Sequence, residues 1–362
     1  MNRVTEVAAK LGRLLDLIET SGADGVRLRG SDWFAWATAG GSNVVVLASE
    51  TGVAELLVTR QGAFVLTDEI EARRMRDEEI VGPITVWSHP WAQPEERERY
   101  VRELCPGRVV SDRPGPGEEL LPNGALSLRL TLLDGESDRY RDVGARAARA
   151  VSEAMRAARP DMTEADLAAE GMRALARHGL EPALVMASGE RRSAEYRHAV
   201  TKAEPLGRRA MLVVCARSYG MYASLTRFVS FGGLDDDLRE RHRCVREVEA
   251  ALWDASRVGA RLDDLYLVAE RAYAAVGGRR PILEHHQGGV SGYRARELLA
   301  APGVTDVLEP NMVLAWNPSL PGAKIEDTAL LHMDGRLENL TLDPSWPTVT
   351  APHGERPDVL EL

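Results

Sequence analysis

A two-domain α+β protein is predicted, and three observations predict it. The chain has 362 residues, more than the ~250–300 at which a single hydrophobic core stops growing. Helix and strand patterns alternate through the first third, whereas helices followed by clustered strands fill the rest, the order of an α+β layer structure. Between them lies SDRPGPGEELLPNG, a Pro/Gly-rich stretch of linker composition. The domains are therefore placed at residues 1–130 and 131–362.

Each element follows from local pattern. Val7, Leu11, Leu14, Leu15 and Ile18 recur at helical spacing, and Gly22 closes that first helix. Apolar runs at Val44–Leu47, Glu55–Val58 and Ala63–Leu66, separated by Gly-containing turns, predict strands of one sheet. Thr67-Asp68 caps a helix through Glu69–Glu78. Beyond the linker, a long amphipathic helix is predicted over Ser137–Ala158, with Val143, Ala147, Val151, Ala154 and Met155 on its apolar face. Thr163 with Asp166 starts the next helix, which ends at Gly179. Strands follow at Ala183–Ala187, Ala210–Ala216 and Tyr222–Val229, then helices at Leu238–Ser256 and Asp264–Val276, and finally a run of strands through Leu342.

Composition narrows the function classes. Apolar residues make up 44% and charged residues 28%, the balance of a soluble globular protein, and the net charge is -10. A nucleic-acid partner requires a basic face; the cationic run Arg239–Arg246 alternates with acids and reads as a solvated helix face. The amphipathic N-terminus is no signal peptide, and no stretch approaches the ~18 apolar residues of a membrane span. Three scattered cysteines, Cys105, Cys215 and Cys244, suit a reducing compartment, so a cytoplasmic protein without nucleic-acid or membrane partners is expected.

Five segments carry a family resemblance. LEPNMVLAWNPSLPGAKIEDTALL resembles the C-terminal signature of aminopeptidase P and prolidase, continued by Asp334-Gly335 and Leu340-Thr341. YASLTR (Tyr222–Arg227) resembles their strand motif "YasDiTR", and GGVSGYRARE (Gly288–Glu297) resembles "GHGIGldvHE". GADGVRL and LTDEIEARRMRDEE resemble the smaller domain of creatinases and prolidases. The resemblance covers nearly the whole chain. It implies a pita-bread C-terminal domain preceded by a smaller α/β domain, a homodimer and a small-molecule substrate.

Metalloenzymes of that family hold two divalent ions with two Asp, one His and two Glu, and a bridging hydroxide attacks the peptide carbonyl. Carried over position by position, only Glu326 survives. The second Asp falls on Ser224, the His of GHG on Gly289, the later His on Arg296, and the first Glu on Asn317. The first Asp falls on Cys215 or Val213. One carboxylate with neutral side chains cannot neutralise two divalent ions, and the adjacent His285 and His286 are expected to point in different directions. No metal or other cofactor is therefore expected.

The creatinase-type branch hydrolyses a guanidino C–N bond without metal, using a His as general acid/base. Its position here is His198 in AEYRHAV, 17 residues before Cys215 as in the family. Imidazole both accepts and donates a proton near neutral pH. Catalytic candidates are thus His198, Glu326 and Cys215, each with a plainer reading: a solvated loop histidine, a carboxylate paired with Lys324 or Arg227, and a small buried hydrophobe. Candidates for holding substrate are His285, His286, Gln287, Arg227, Arg296, Asn317, Ser224, Tyr222 and Trp33. For them the plainer readings are a glycine turn at Gly288-Gly289, ion pairs for the arginines, a shape-preserving Asn317, and ordinary packing of Trp33 beside Trp36.

Three function classes remain open. They are a metal-independent hydrolase of a small C–N substrate, a lyase or cyclisation enzyme acting on a small metabolite, and a catalytically silent binding domain of the kind found in eukaryotic histone-binding factors. Xaa-Pro aminopeptidase activity is not expected, because nothing generates its hydroxide.

Overall fold

The structure, a computed structural model, describes residues 1–277 and 280–362 and divides into two compact units. The first comprises Met1–Glu136 with Tyr219–Met221, and the second Ser137–Ser218 with Tyr222–Leu362. Both mix helices and sheets, as the α+β prediction requires. Among the described residues, no helix is long and apolar enough to cross a membrane.

The first unit is built on one six-stranded sheet. Its strands are β1 (Gly25–Gly30), β2 (Thr51–Thr59), β3 (Gly62–Asp68), β4 (Ile84–His89), β5 (Val109–Ser111) and β6 (Glu119–Leu120), in spatial order β4-β3-β2-β1-β5-β6. The preceding helix, Arg3–Ser21, starts where the Asn2 side chain accepts from the Thr5 amide at 2.9 Å and ends at Gly22, whose φ of 69° suits glycine. It buries Val7, Leu11, Leu14 and Ile18. Lys10 on the same helix is also buried, its charge offset by Glu6 at 2.7 Å and Glu136 at 2.8 Å.

Two local expectations are corrected in this unit. Val44–Leu47 forms no strand: Val45, Val46 and Leu47 are exposed, in a loop turned back by the bond from Ser49 N to Val46 O. Asn43 is pinned to Val53 and Ala54, so pairing begins only at Thr51. The helix expected over Glu69–Glu78 is shorter: Asp68 accepts from the amides of Ile70 and Glu71, and a single turn at Ala72–Arg74 widens into a π-turn over Met75–Glu79.

In the second unit, β7 (Glu181–Gly189), β8 (Arg209–Ser218), β9 (Met221–Ser230) and the terminal β19 (Leu360–Glu361) form a sheet in the order β19-β9-β8-β7. The helices Asp134–Arg156 and Glu164–Arg177 supply its core partners. Val143, Ala147, Val151, Ala154, Met155, Leu167 and Leu175 bury with Leu212, Val214 and Leu225. The reciprocal Thr163/Asp166 capping box fixes the start of the second helix.

A second sheet joins β10 (Gly288–Ser291), β11 (Leu298–Leu299), β12 (Val313–Trp316), β15 (Asp327–Leu331) and β16 (Leu337–Asn339) in the order β11-β10-β12-β15-β16. Two small hairpins complete the unit: β13 (Ser319–Leu320) with β14 (Ala323–Lys324), and β17 (Thr348–Ala351) with β18 (Gly354–Pro357). An isolated bridge between Thr226 and Glu326 ties β9 to the segment just ahead of β15. It brings the YASLTR and KIED motifs side by side.

Candidate active site

Glu326 lies at the centre of the site and is buried. Thr226 N donates to its carbonyl at 3.0 Å and Thr226 Oγ1 to its Oε2 at 2.8 Å. Its carboxylate is then closed by two cations of the chain itself: Lys324 Nζ lies 2.9 Å from Oε2 and Arg296 Nη2 2.8 Å from Oε1. Burial pushes the carboxyl pKa up, but Lys324 and Arg296 outweigh it and hold the group down at about 2. Arg296 also donates to Ser224 Oγ at 3.3 Å, and Ser224 Oγ is 3.4 Å from Cys215 Sγ. Burial and the nearby Glu326 raise the Cys215 pKa, so the sulfur is a neutral thiol rather than an activated nucleophile.

Beside this ion triplet stand three imidazoles. His198 sits in the loop after the helix Glu190–Glu195, and His285 and His286 directly follow the helix Arg280–Glu284. The two segments are joined by Arg197 and Glu284 at 2.8 Å. His285 Nε2 lies 3.0 Å from His198 Nε2, so one ring carries the proton and the other the lone pair. The sequence expectation that His285 and His286 diverge is overturned: their rings stack 4.6 Å apart, 21° from parallel. The two residues lie in irregular chain between the helix and β10, outside any strand alternation. Burial, with Lys324 next, lowers the pKa of His285 to about 3; burial, with Arg296 next, lowers that of His286 to about 4; burial and Lys324 lower that of His198. All three rings are neutral at pH 7.

Several predicted substrate contacts are taken up by the fold. Arg227 does not reach Glu326's carboxylate; it is buried against Asp327 Oδ1 at 2.8 Å and Thr341 O at 2.6 Å. Gln287 accepts from Tyr273 Oη at 2.7 Å and donates to His285 O at 2.5 Å, which orients the histidine segment. The Tyr222 hydroxyl accepts from Arg217 at 3.2 Å. Trp33, in the first unit, is 5% exposed, edge-on to Trp36 with the Arg129 guanidinium 4.4 Å over its ring, and has no free face for a substrate. Asn317 is buried near the histidines through its amide, which donates to Gln287 O at 3.0 Å, while its Oδ1 has no hydrogen-bond partner. The site residue that pattern reading treated only as a neighbour is Lys324. Its signal was available, because positions 324 and 326 of an extended segment share one face.

A dinuclear metal centre does not fit these residues. The one carboxylate in place is already neutralised by Lys324 and Arg296, and Ser224, Cys215 and Asn317 supply no further negative charge. At Gly289 the backbone itself excludes the missing histidine: φ is +152°, and a Cβ there would lie 2.2 Å from Leu298 O. Gly288, at φ +102°, is pressed equally closely on Ala315 O, so the paired glycines serve a tight three-strand contact.

The sequence model of metallopeptidase family M24 matches residues 138–332, more than half of the chain. The chain belongs to metallopeptidase family M24. Among curated relatives, it is 26% identical over 220 residues to the probable dipeptidase PepE of Mycobacterium tuberculosis; that alignment spans 58% of each chain, under two thirds of the relative's length. Among solved structures, the prolidase from Pyrococcus horikoshii superposes with a TM-score of 0.78 at 18% identity, covering 93% of this chain and 99% of that one. The N-terminal domain of FACT complex subunit SPT16 from chickpea superposes at 0.72 with 12% identity, covering 93% and 96%. The pita-bread fold expected from the motifs is therefore the fold of this M24 member.

Proposed function

We propose that this M24 member hydrolyses the C–N bond of a small amide or guanidino-type molecule in a creatinase-like, metal-independent manner, with His198 as general acid/base. The observation that carries this reading is the 3.0 Å contact between His198 Nε2 and His285 Nε2 beside a carboxylate already closed by Lys324 and Arg296. His198, at the exposed edge, takes a proton from water as the oxygen bonds to the substrate carbon. It then returns that proton to nitrogen as the C–N bond breaks and nitrogen keeps the electron pair. His285, buried behind it, is a positioning residue that holds the His198 ring and its tautomer. Glu326 serves as counter-ion, keeping Arg296 and Lys324 at the pocket wall.

Binding without catalysis is the second reading, and the likeness to the SPT16 domain favours it, since that neighbour is part of a subunit of the FACT complex. A homodimer in the cytoplasm completes the proposal and is checked by sedimentation equilibrium. The deciding experiment is a panel of guanidino, amide and N-acyl compounds assayed for released ammonia, urea or amine with chelator present. Turnover that falls at least 100-fold in His198→Ala and persists with chelator supports the hydrolase. A silent panel, or a His198→Ala variant with full activity, removes it.

A further inference from the structure

We propose that His198, His285 and His286 together bind one late divalent transition-metal ion, such as zinc or nickel, at a site other than the carboxylate site of the family. Each ring offers one nitrogen, and the three nitrogens all lie within 4.8 Å of one another. One pair, His198 Nε2 and His285 Nε2, is 3.0 Å apart, which subtends about 94° at an ion ~2.05 Å from each nitrogen. Tetrahedral ligation asks for nitrogens ~3.4 Å apart, so even the widest gap closes with a movement of at most ~1.4 Å. The exposed His198 and His286 can supply it by rotating about their side-chain bonds, with His285 as the buried anchor.

The donor chemistry selects the metal. Three neutral imidazoles without a free carboxylate suit zinc, nickel, copper and cobalt, whereas magnesium and manganese require oxygen. Lys324, Arg296 and Glu326 leave one excess positive charge beside the rings. That excess favours an anion, hydroxide or a carboxylate, as the fourth ligand. The positioning groups are those of a supported site. Gln287 ties down the His285 carbonyl, and the Arg197–Glu284 pair fixes the two ligand-bearing segments to each other. The inference goes beyond the hydrolytic reading and bears on it: an ion on His198 occupies the lone pair that acid/base work uses, so loading the site inhibits that chemistry.

The test uses the full chain, stripped with chelator and titrated calorimetrically with Zn2+, Ni2+ and Mn2+, with elemental analysis after dialysis. The expected result is one equivalent of zinc or nickel per chain and at least tenfold weaker binding of manganese. His286→Gln, at an exposed position that leaves the fold intact, and His285→Gln each weaken zinc binding at least tenfold. His332→Gln, on a histidine paired with Glu338 at 2.8 Å, leaves it unchanged. The cobalt-loaded protein shows visible d–d absorption that is lost in both site variants. Less than half an equivalent of zinc, binding indifferent to both site variants, or two equivalents of manganese overturns the site. Because binding is read without turnover, the two readings fail separately. Turnover that requires the ion ends the metal-independent mechanism and keeps the site, whereas ion-free turnover that bound zinc inhibits supports both, and ion-free turnover in a protein that binds less than half an equivalent keeps only the mechanism.

Discussion

Glu326→Gln replaces a carboxylate by an amide of the same shape and leaves two buried cations with no counter-charge. Lys324 Nζ and Arg296 Nη2 approach the carboxylate at 2.9 and 2.8 Å, and all three side chains are largely buried. Each pair carries a gross attraction of about 6 kcal/mol at an effective dielectric of 20, most of it offset by desolvation. Removing one partner of such a set costs about 3–5 kcal/mol, because the other charges stay buried. The amide adds to the cost by turning an N–H₂ towards one cation. At roughly 2–4 °C per kcal/mol, the unfolding transition of the second unit falls by about 6–20 °C. Scanning calorimetry reads the shift, and urea unfolding followed by tryptophan fluorescence reads the free energy. Adding Lys324→Met to Glu326→Gln removes one stranded charge and recovers part of the loss, a coupling that a double-mutant cycle isolates. A single variant within about 1 kcal/mol of the parent, or more stable than it, refutes the idea that Glu326 neutralises both cations.

Three further outcomes follow from other parts of the chain. His242 is buried against Phe228, and burial, with Arg246 next, lowers its pKa to about 4; the unfolded chain therefore binds a proton that the native state refuses as pH falls from ~6.5 to 4, costing about 3 kcal/mol, and His242→Phe flattens that acid limb in a pH series of urea unfolding curves. Cys215, its pKa raised by burial and Glu326, alkylates with iodoacetamide at pH 7.5 at least tenfold more slowly than a free thiol; equal rates would contradict the neutral, shielded sulfur. Thr163→Ala breaks the capping box with Asp166 and lowers stability by about 1 kcal/mol in the same urea assay, and no change would mean that the helix start is held elsewhere.

Much of this structure was legible in one sequence, for reasons that differ between fold and site. The helix Arg3–Ser21 and the strands β7 to β9 announce themselves by period, because a single buried face imposes it. Val44–Leu47 misled because an apolar run shows only that a segment is able to pair, not that a neighbouring strand is present. At the site, His198 and Glu326 were reached through motif resemblance, which fixes positions along the chain. Contacts between distant segments were not reachable in that way. That Arg296 closes Glu326 while Arg227 turns to Asp327 depends on which faces of β9, β15 and the 292–297 turn meet, and no local pattern encodes it. The stacking of His285 on His286 likewise depends on backbone direction between two adjacent residues just after a helix. Lys324 was the exception, visible by alternation once Glu326 is known to point inward.

The glycine pair at β10 also bears on how this protein can change. A lost metal ligand is usually imagined as a side chain that one codon could restore. At Gly289, the position that the motif resemblance gives to histidine, a first side-chain carbon would lie 2.2 Å from Leu298 O. A side chain at position 289 would need the strand to rotate and its neighbour β11 to retreat. Placing a histidine at position 289 is therefore a matter of moving backbone rather than of replacing one residue, and a designed ligand set would be easier to build elsewhere in the second unit.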